Sequence, residues 1–408
     1  MGQAALGVDF GTSNSAAAVL EGGAVRRFAI EAGAETLPTA VFFPEGGGML
    51  IGEAAGAALI AGEEGRYMRA LKSVLGTPLF HESRLIGGAR RTLAEIVTGF
   101  LVCVRERAEA EAGRAFPRVV SGRPVHFHTR DPERDAQAEE DLLGCYLAAG
   151  FEEISFRFEP EAAALASRGD AGETGLIVDI GGGTSDFTLF RRGAEIEILG
   201  SHGIRLGGTD FDRSISLAFA MPELGMGGEL RRVLGEGLLP VPQAIYGDLA
   251  SWAMIPFLYT PEVARSVADL VAHAVEPVKL RRLQTVIRDQ LGHDLAFAVE
   301  RGKIAANGGV AGAAIDMGVV ERGLRVPVSE GGVARALEAA REPLRHAIYE
   351  VLMAAGVTPA GVDHVILVGG SSLMKMVVDE VRAVCPGAKV SRSEAFTGVV
   401  DGLAIAAA

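Results

Sequence analysis

Short apolar runs alternate along this chain with longer stretches of helical spacing. Residues 6–14 (LGVDFGTSN) form an apolar run that meets Asp9 and then a turn of glycine and hydroxyl residues; residues 16–20 follow as a second apolar run. About 170 residues later, residues 177–186 (IVDIGGGTSD) repeat the design, with 187–190 as the second run. Each copy predicts strand, turn and strand, and the repetition predicts a duplicated chain. A third run, 364–372 (HVILVGGSS), ends in a glycine turn and leads into helical spacing over 373–384. The three turns are expected to converge. Helical spacing also covers 93–112, 135–149, 333–355 and 397–408. The fold class is therefore α/β.

The segment 213–299 differs in character. It has helix-like spacing at 262–274 and 277–290 and prolines at Pro240, Pro242, Pro256 and Pro261, and reads as a helical insertion in the second half. Segment 38–110 is its counterpart in the first half. The division expected is lobe I over 1–170 and lobe II over 171–408. Trp252 and the apolar residues of 253–258 are expected to fill the core of the helical insertion.

Composition narrows the function classes. The 408 residues are 49% hydrophobic and 22% charged, enough apolar material for two or three domains and no sign of disorder. Lys and Arg number 39 against 52 Asp and Glu, a net charge of −13, the wrong sign for coating nucleic acid or anionic lipid. Cys103, Cys145 and Cys385 are too scattered for a metal clip or a disulfide framework, which suits a reducing cytoplasm. Residues 1–10 carry no basic residue and no run reaches about 18 apolar residues, so neither export nor membrane insertion is expected. Gly2 invites lipidation, but Leu6 stands where that motif wants Ser or Thr. The eight histidines show no HExxH spacing, and no P-loop, dinucleotide-binding or GxSxG motif occurs.

The two turns carry the candidate chemistry. In the first, Gly11 lets the backbone approach a phosphate, Thr12, Ser13 and Asn14 supply donors, and Asp9 can hold a hydrated cation. Alone, this loop is equally an ordinary hairpin turn. In the second, Gly181, Gly182 and Gly183 in succession, with Thr184 and the carboxylates Asp179 and Asp186, are hard to justify unless a ligand presses on the backbone. Two such loops can grip a di- or triphosphate with a divalent metal between carboxylates.

These residues, in this order, resemble the actin, hexokinase and heat-shock 70-kDa ATPase superfamily, and within it most of all a shortened chaperone-like relative of the heat-shock 70-kDa proteins. The resemblance implies a duplicated ribonuclease-H-like fold with two lobes around a nucleotide cleft. It also implies ATP or ADP with Mg²⁺ as ligands, slow ATP hydrolysis and lobe closure that signals nucleotide state to a protein partner. It assigns Asp9, Asp179 and Asp186 to Mg²⁺ through water, Lys72 in residues 70–76 (ALKSVLG) to the γ-phosphate, and Glu159 in 158–165 (FEPEAAAL) to the attacking water. Gly207 and Gly208 in 207–212 (GGTDFD) match a turn over the phosphates, Glu300 and Lys303 a ribose-holding pair, and Gly369, Gly370 and Ser371 the adenosine loop. Read without the resemblance, Lys72 is a lysine among apolar neighbours, Glu159 an acid at a helix start, and Glu300 and Lys303 a surface ion pair.

Leu373 stands where the chaperones carry an arginine that stacks on adenine, and Ile304 where a further basic residue is usual, so base recognition is expected to be altered. The sequence given ends at 401–408 without the peptide-binding domain of full chaperones. Two other readings share the motifs: an actin-like filament former and a small-molecule kinase.

Overall fold

Two sheets of the same design emerge from this pattern in a computed structural model, which describes residues 5–128, 131–167, 169–232, 235–252, 254–392 and 397–407. In the first, β1 (Leu6–Phe10), β2 (Asn14–Glu21) and β3 (Ala24–Arg27) form an antiparallel meander; β4 (Arg118–Arg123) and β5 (Glu153–Phe158) extend it in parallel, in the order β5-β4-β1-β2-β3. The second repeats this with β6 (Thr174–Ile180), β7 (Ser185–Arg192), β8 (Ile196–Ile204), β9 (His364–Val368) and β10 (Lys389–Arg392), in the order β8-β7-β6-β9-β10. The helices repeat as well: α1 (Leu93–Ala112), α2 (Pro132–Ala148) and α3 (Glu159–Ala166) in the first copy, then α4 (Glu338–Ala354), α5 (Lys375–Val384) and α6 (Gly398–Ala406) in the second. The chain is a duplicated α/β fold.

Local sequence explains the helix boundaries. Thr92 Oγ1 accepts from Glu95 N at 3.1 Å while Glu95 Oε2 accepts from Thr92 N at 2.8 Å, a reciprocal cap that starts α1. Asp131 caps α2 through Arg134 N, and Pro132 supplies a first position that needs no donor. One face of α1, including Ile96, Val97, Phe100 and Val104, is buried against the first sheet's core, where the Phe10 and Phe100 rings lie 5.7 Å apart.

By packing, Met1–Arg205 with Arg345–Leu373 and Val377–Ala408 form one compact unit, and Leu206–Leu344 with Met374–Met376 a second. Both sheets belong to the first unit. There α6, from the second copy, packs on α3 and on β1 of the first copy. A Cβ at Gly402 would sit 1.7 Å from the Ala162 carbonyl oxygen, so only glycine allows this approach. Arg27 on β3 holds the same helix with a two-pronged bridge to Asp401, at 2.8 and 2.7 Å.

The second unit contains helices Pro261–His273, Pro277–Arg288 and Gly292–Asn307 and two small hairpins, Glu229–Arg231 with Leu238–Pro240 and Ala314–Asp316 with Arg325–Pro327. The first hairpin lies inside the segment read as helical; three-residue strands are too short to show alternation. Helical spacing over 333–355 becomes two helices, Glu330–Ala336 and α4, because the backbone leaves the helical region at Leu337 (φ −98°, ψ 6°) while the apolar face continues. Trp252 packs edge-on against His293 and Phe297, and Ile255 and Leu258 are buried as expected, but Met254 and Phe257 are exposed; Ala253 lies outside the described residues. Among the described residues no helix is long and apolar enough to cross a membrane.

Gly402→Ala should cost more than about 3 kcal/mol in chemical denaturation, because the clash is with backbone that cannot rotate away. Gly46→Ala, where an added Cβ meets nothing within 4 Å, should stay within about 0.5 kcal/mol.

Candidate phosphate and cation site

The three glycine turns converge. The β1–β2 turn ends in exposed Thr12 and Ser13, with Asn14 half-buried at the start of β2. Its Gly11 is required by the hairpin itself, since a Cβ there would meet Asn14 O at 2.2 Å. The β6–β7 turn is closed by a hydrogen bond from Gly181 N to Thr184 O at 2.9 Å. It approaches the first turn at its tip, where a Cβ on Gly182 would lie 3.1 Å from Ser13 Oγ. After β9, Gly369 adopts φ 79°, and a Cβ there would press on Ile180 O at 2.7 Å and Asp179 Oδ1 at 2.9 Å. Gly370 and Ser371 begin the short 3-10 turn Gly370–Leu373, braced by Ser372 Oγ donating to Gly369 O at 2.7 Å.

The glycine run of the second turn answers the sequence argument in an unexpected way. None of Gly181, Gly182 and Gly183 has a positive φ, and a Cβ on Gly183 would meet nothing within 4 Å. The protein's own packing does not require Gly183. What its missing side chain keeps open is space above the backbone, as a ligand cradle needs.

Charge gathers beside this space. The β6–β7 register places Asp179 directly across from Asp186, whereas the matching residue Asp9 faces Ala16 across β1 and β2. Lys72 comes from the 3-10 turn Leu71–Val74, which follows Ala70 in the left-handed region (φ 57°), a conformation that costs a non-glycine residue about 1 kcal/mol. Its buried ammonium pairs with Glu159 at the first position of α3. The structure therefore brings together Asp9, Lys72, Glu159, Asp179 and Asp186.

Burial first, and then neighbouring carboxylates, push the acids upward. Asp179 rises to about 8 under burial and the charges of Glu159, Asp186 and Asp9. Asp9 rises to about 7 through burial and Glu159, against the pull of Lys72. Asp186 rises to about 6 for the same reasons. Burial opposes the charge on Lys72, yet Glu159, Asp9 and Asp179 hold its pKa above the usual lysine value. Four carboxylates facing one ammonium leave a deficit of positive charge that a divalent cation would fill. Among the described residues no group of three or more acid, imidazole or thiol side chains is arranged to hold a metal ion directly.

A cavity of about 20 Å³, room for roughly one water, lies between Glu159, Asp179 and Asp186. Its wall includes Thr188 and Ser201, whose hydroxyls are 3.1 Å apart across β7 and β8. Neither was singled out from the sequence: the signal available was the alternation along β7, which puts Thr188 on the same face as Asp186.

The remaining candidates lie in the second unit. Gly207 and Gly208 open the helix Gly208–Ile215, and Gly207 N donates to Asp210 Oδ2 at 2.9 Å. Lys303 is buried with its ammonium 2.8 Å from Asp212, which joins helix Gly292–Asn307 to that helix; Glu300 is exposed. Ile304 is 60% exposed.

Protonation of Asp179 is linked to stability. With its folded pKa raised above the unfolded value of about 3.9, the folded chain binds the extra proton between about pH 4 and 8, and Asp179 costs stability as pH rises through that window. Without added cation, Asp179→Asn should therefore gain in melting temperature over the wild type by about 5 °C between pH 5 and pH 8. A difference that stays flat contradicts the charge cluster.

Comparison with known proteins finds similarity over part of the chain. Residues 5–86, which contain the first turn and Lys72, match the family model described as Hsp70 protein. The Chaperone protein DnaK of Endomicrobium trichonymphae is 32% identical over 220 residues, 52% of this chain and 34% of that protein. The Chaperone protein DnaK of Methanothermobacter thermautotrophicus is 33% identical over 219 residues, 52% of this chain and 35% of that protein. The matches thus span about a third of the length of these relatives. Two copies of one sheet, each built on an acidic strand and a glycine turn, together with these matches, make the chain similar to the actin, hexokinase and heat-shock 70-kDa ATPase superfamily.

Proposed function

We propose that this chain binds ATP and ADP with Mg²⁺, hydrolyses ATP slowly, and serves a chaperone-related role in the cytoplasm by presenting its nucleotide state to a protein partner. The observation that carries this reading is the acidic cluster beside an open glycine cradle, with Lys72 alone among the five clustered charges positive.

Each group has a physical task in this reading. Backbone N–H groups of Gly181 to Gly183 and the hydroxyls of Thr12, Ser13 and Thr184 donate to phosphate oxygens. Asp9, Asp179 and Asp186 would hold the nucleotide's Mg²⁺ through water, and the ion would supply neutralisation of phosphate charge and polarisation of the γ-phosphoryl group. Lys72 adds positive charge where the transferring group becomes more negative. Glu159, pinned by Lys72 at the edge of a water-sized cavity, orients a water and takes up its proton. Gly369, Gly370 and Ser371 offer backbone to the nucleoside end. With Leu373 in place of a stacking arginine, base selection is expected to be looser than in the chaperones.

Two experiments follow. In calorimetric titrations with ATP and Mg²⁺, Asp179→Ala should abolish binding seen in the wild type, whereas Lys72→Ala should keep the affinity within a few fold while turnover drops about 100-fold; no binding by the wild type removes the proposal. Gly183→Ala separates ligand from fold: its melting temperature should match the wild type within about 1 °C while nucleotide affinity falls at least about tenfold. Unchanged affinity would mean that phosphate does not lie on this turn.

A further inference from the structure

Outside the acidic cluster, Arg123, the last residue of β4, joins several of its surroundings. It pairs in register with Phe158, the residue directly before Glu159. Its guanidinium lies against two rings, 5.2 Å from the centre of Phe158 and 5.4 Å from that of Phe127. Nε donates to Pro124 O at 3.2 Å. The two amino groups reach α2, one 3.6 Å from Asp135 and the other paired with Glu139. Asp135 in turn accepts from the backbone N–H groups of Phe127 and His128 at 2.5 and 3.0 Å. The arginine side chain is only 14% exposed.

These contacts surround the residue read as the water-orienting acid. Pro124 and Val125, whose carbonyls both accept from Arg123, at 3.2 and 3.5 Å, line the small cavity that Glu159 also lines. Gly122, the residue before Arg123, lies so close to Glu159 that a Cβ there would be 3.0 Å from its Cγ. Burial works against the charge on Arg123, and Asp135 and Glu159 partly restore it, so the guanidinium also feels Glu159 electrostatically. A charge placed at such a cost and fixed by planar stacking suits a fork that must hold several directions at once, which a lysine cannot reproduce.

We infer that Arg123 is a positioning residue that acts on turnover through Glu159, by fixing the loop after β4 and the entry to α3 so that the carboxylate keeps its place at the cavity. This rests on the hydrolysis reading above. It concerns kcat rather than nucleotide binding, because Arg123 touches neither glycine turn.

The test uses the full chain and measures kcat and KM for ATP, ADP affinity and melting temperature in the wild type, Arg123→Gln, Arg123→Lys, Glu159→Gln and the double variants. Arg123→Gln should lower kcat about tenfold with KM and ADP affinity within about twofold, and Arg123→Lys should recover only part of the loss. In the Glu159→Gln background, Arg123→Gln should add less than about a twofold loss, because the two changes remove one function. An equal loss with and without Glu159 marks a merely structural role and overturns the inference, as does an unchanged kcat. Should Arg123→Gln melt at the assay temperature, Arg123→Lys in the two backgrounds decides by the same comparison. A wild type without ATP turnover removes the hydrolysis reading, and this inference with it. Turnover in the wild type with no Glu159-dependent effect of Arg123 removes the inference alone.

Discussion

Two carboxylates directly opposite each other on neighbouring antiparallel strands repel, and the candidate site is built around such a pair. Asp179 faces Asp186 across β6 and β7. A slip of β7 by one residue would separate them, but would also move the buried Phe187 and Leu189 off the face they share with Val178 and onto the face of Ile177 and Asp179. The apolar register thus holds the repulsion in place. Glu159 and Asp9 deepen it, and Lys72 relieves part of it. The arrangement persists because the core outweighs it.

The duplication explains how that constraint came to be supported from several sides. Each sheet has its central strand between a hairpin partner and a parallel strand, so each central strand ends in a turn with donors and an acid. The copies have diverged: Asp9 faces Ala16 where Asp179 faces Asp186, and the first copy contributes Lys72 and Glu159 instead. Helix α6, seated on α3 at Gly402 and bridged to Arg27, fastens the end of the second copy to the first. Glu159 at the start of α3 is thereby held by the same packing that joins the copies.

Much of this was legible in the sequence. The apolar runs ending in Asp9 and Asp179 became central strands, and the helical spacing over 93–112 coincides with α1 because its cap and its apolar face agree. The convergence of the three turns followed from the repetition of one pattern. Lys72 and Glu159 are 87 positions apart, and only a resemblance, not a spacing, could connect them. Thr188 with Ser201, Arg123 with Phe158, and Lys303 with Asp212 escaped notice for the same reason: each depends on strand register or helix packing that no local pattern encodes. The hairpin at Glu229–Arg231 was hidden by its length.

If raised carboxylates wait for a cation, occupying the site must expel their protons. Binding of preformed Mg–ADP at pH 7, measured by calorimetry in two buffers of different ionisation enthalpy, reports that exchange directly. With Asp179 pushed up to about 8 and Asp9 to about 7, the account predicts that binding releases at least about one proton, and that Asp179→Asn lowers the number. Binding with no proton release, or with proton uptake, would contradict it.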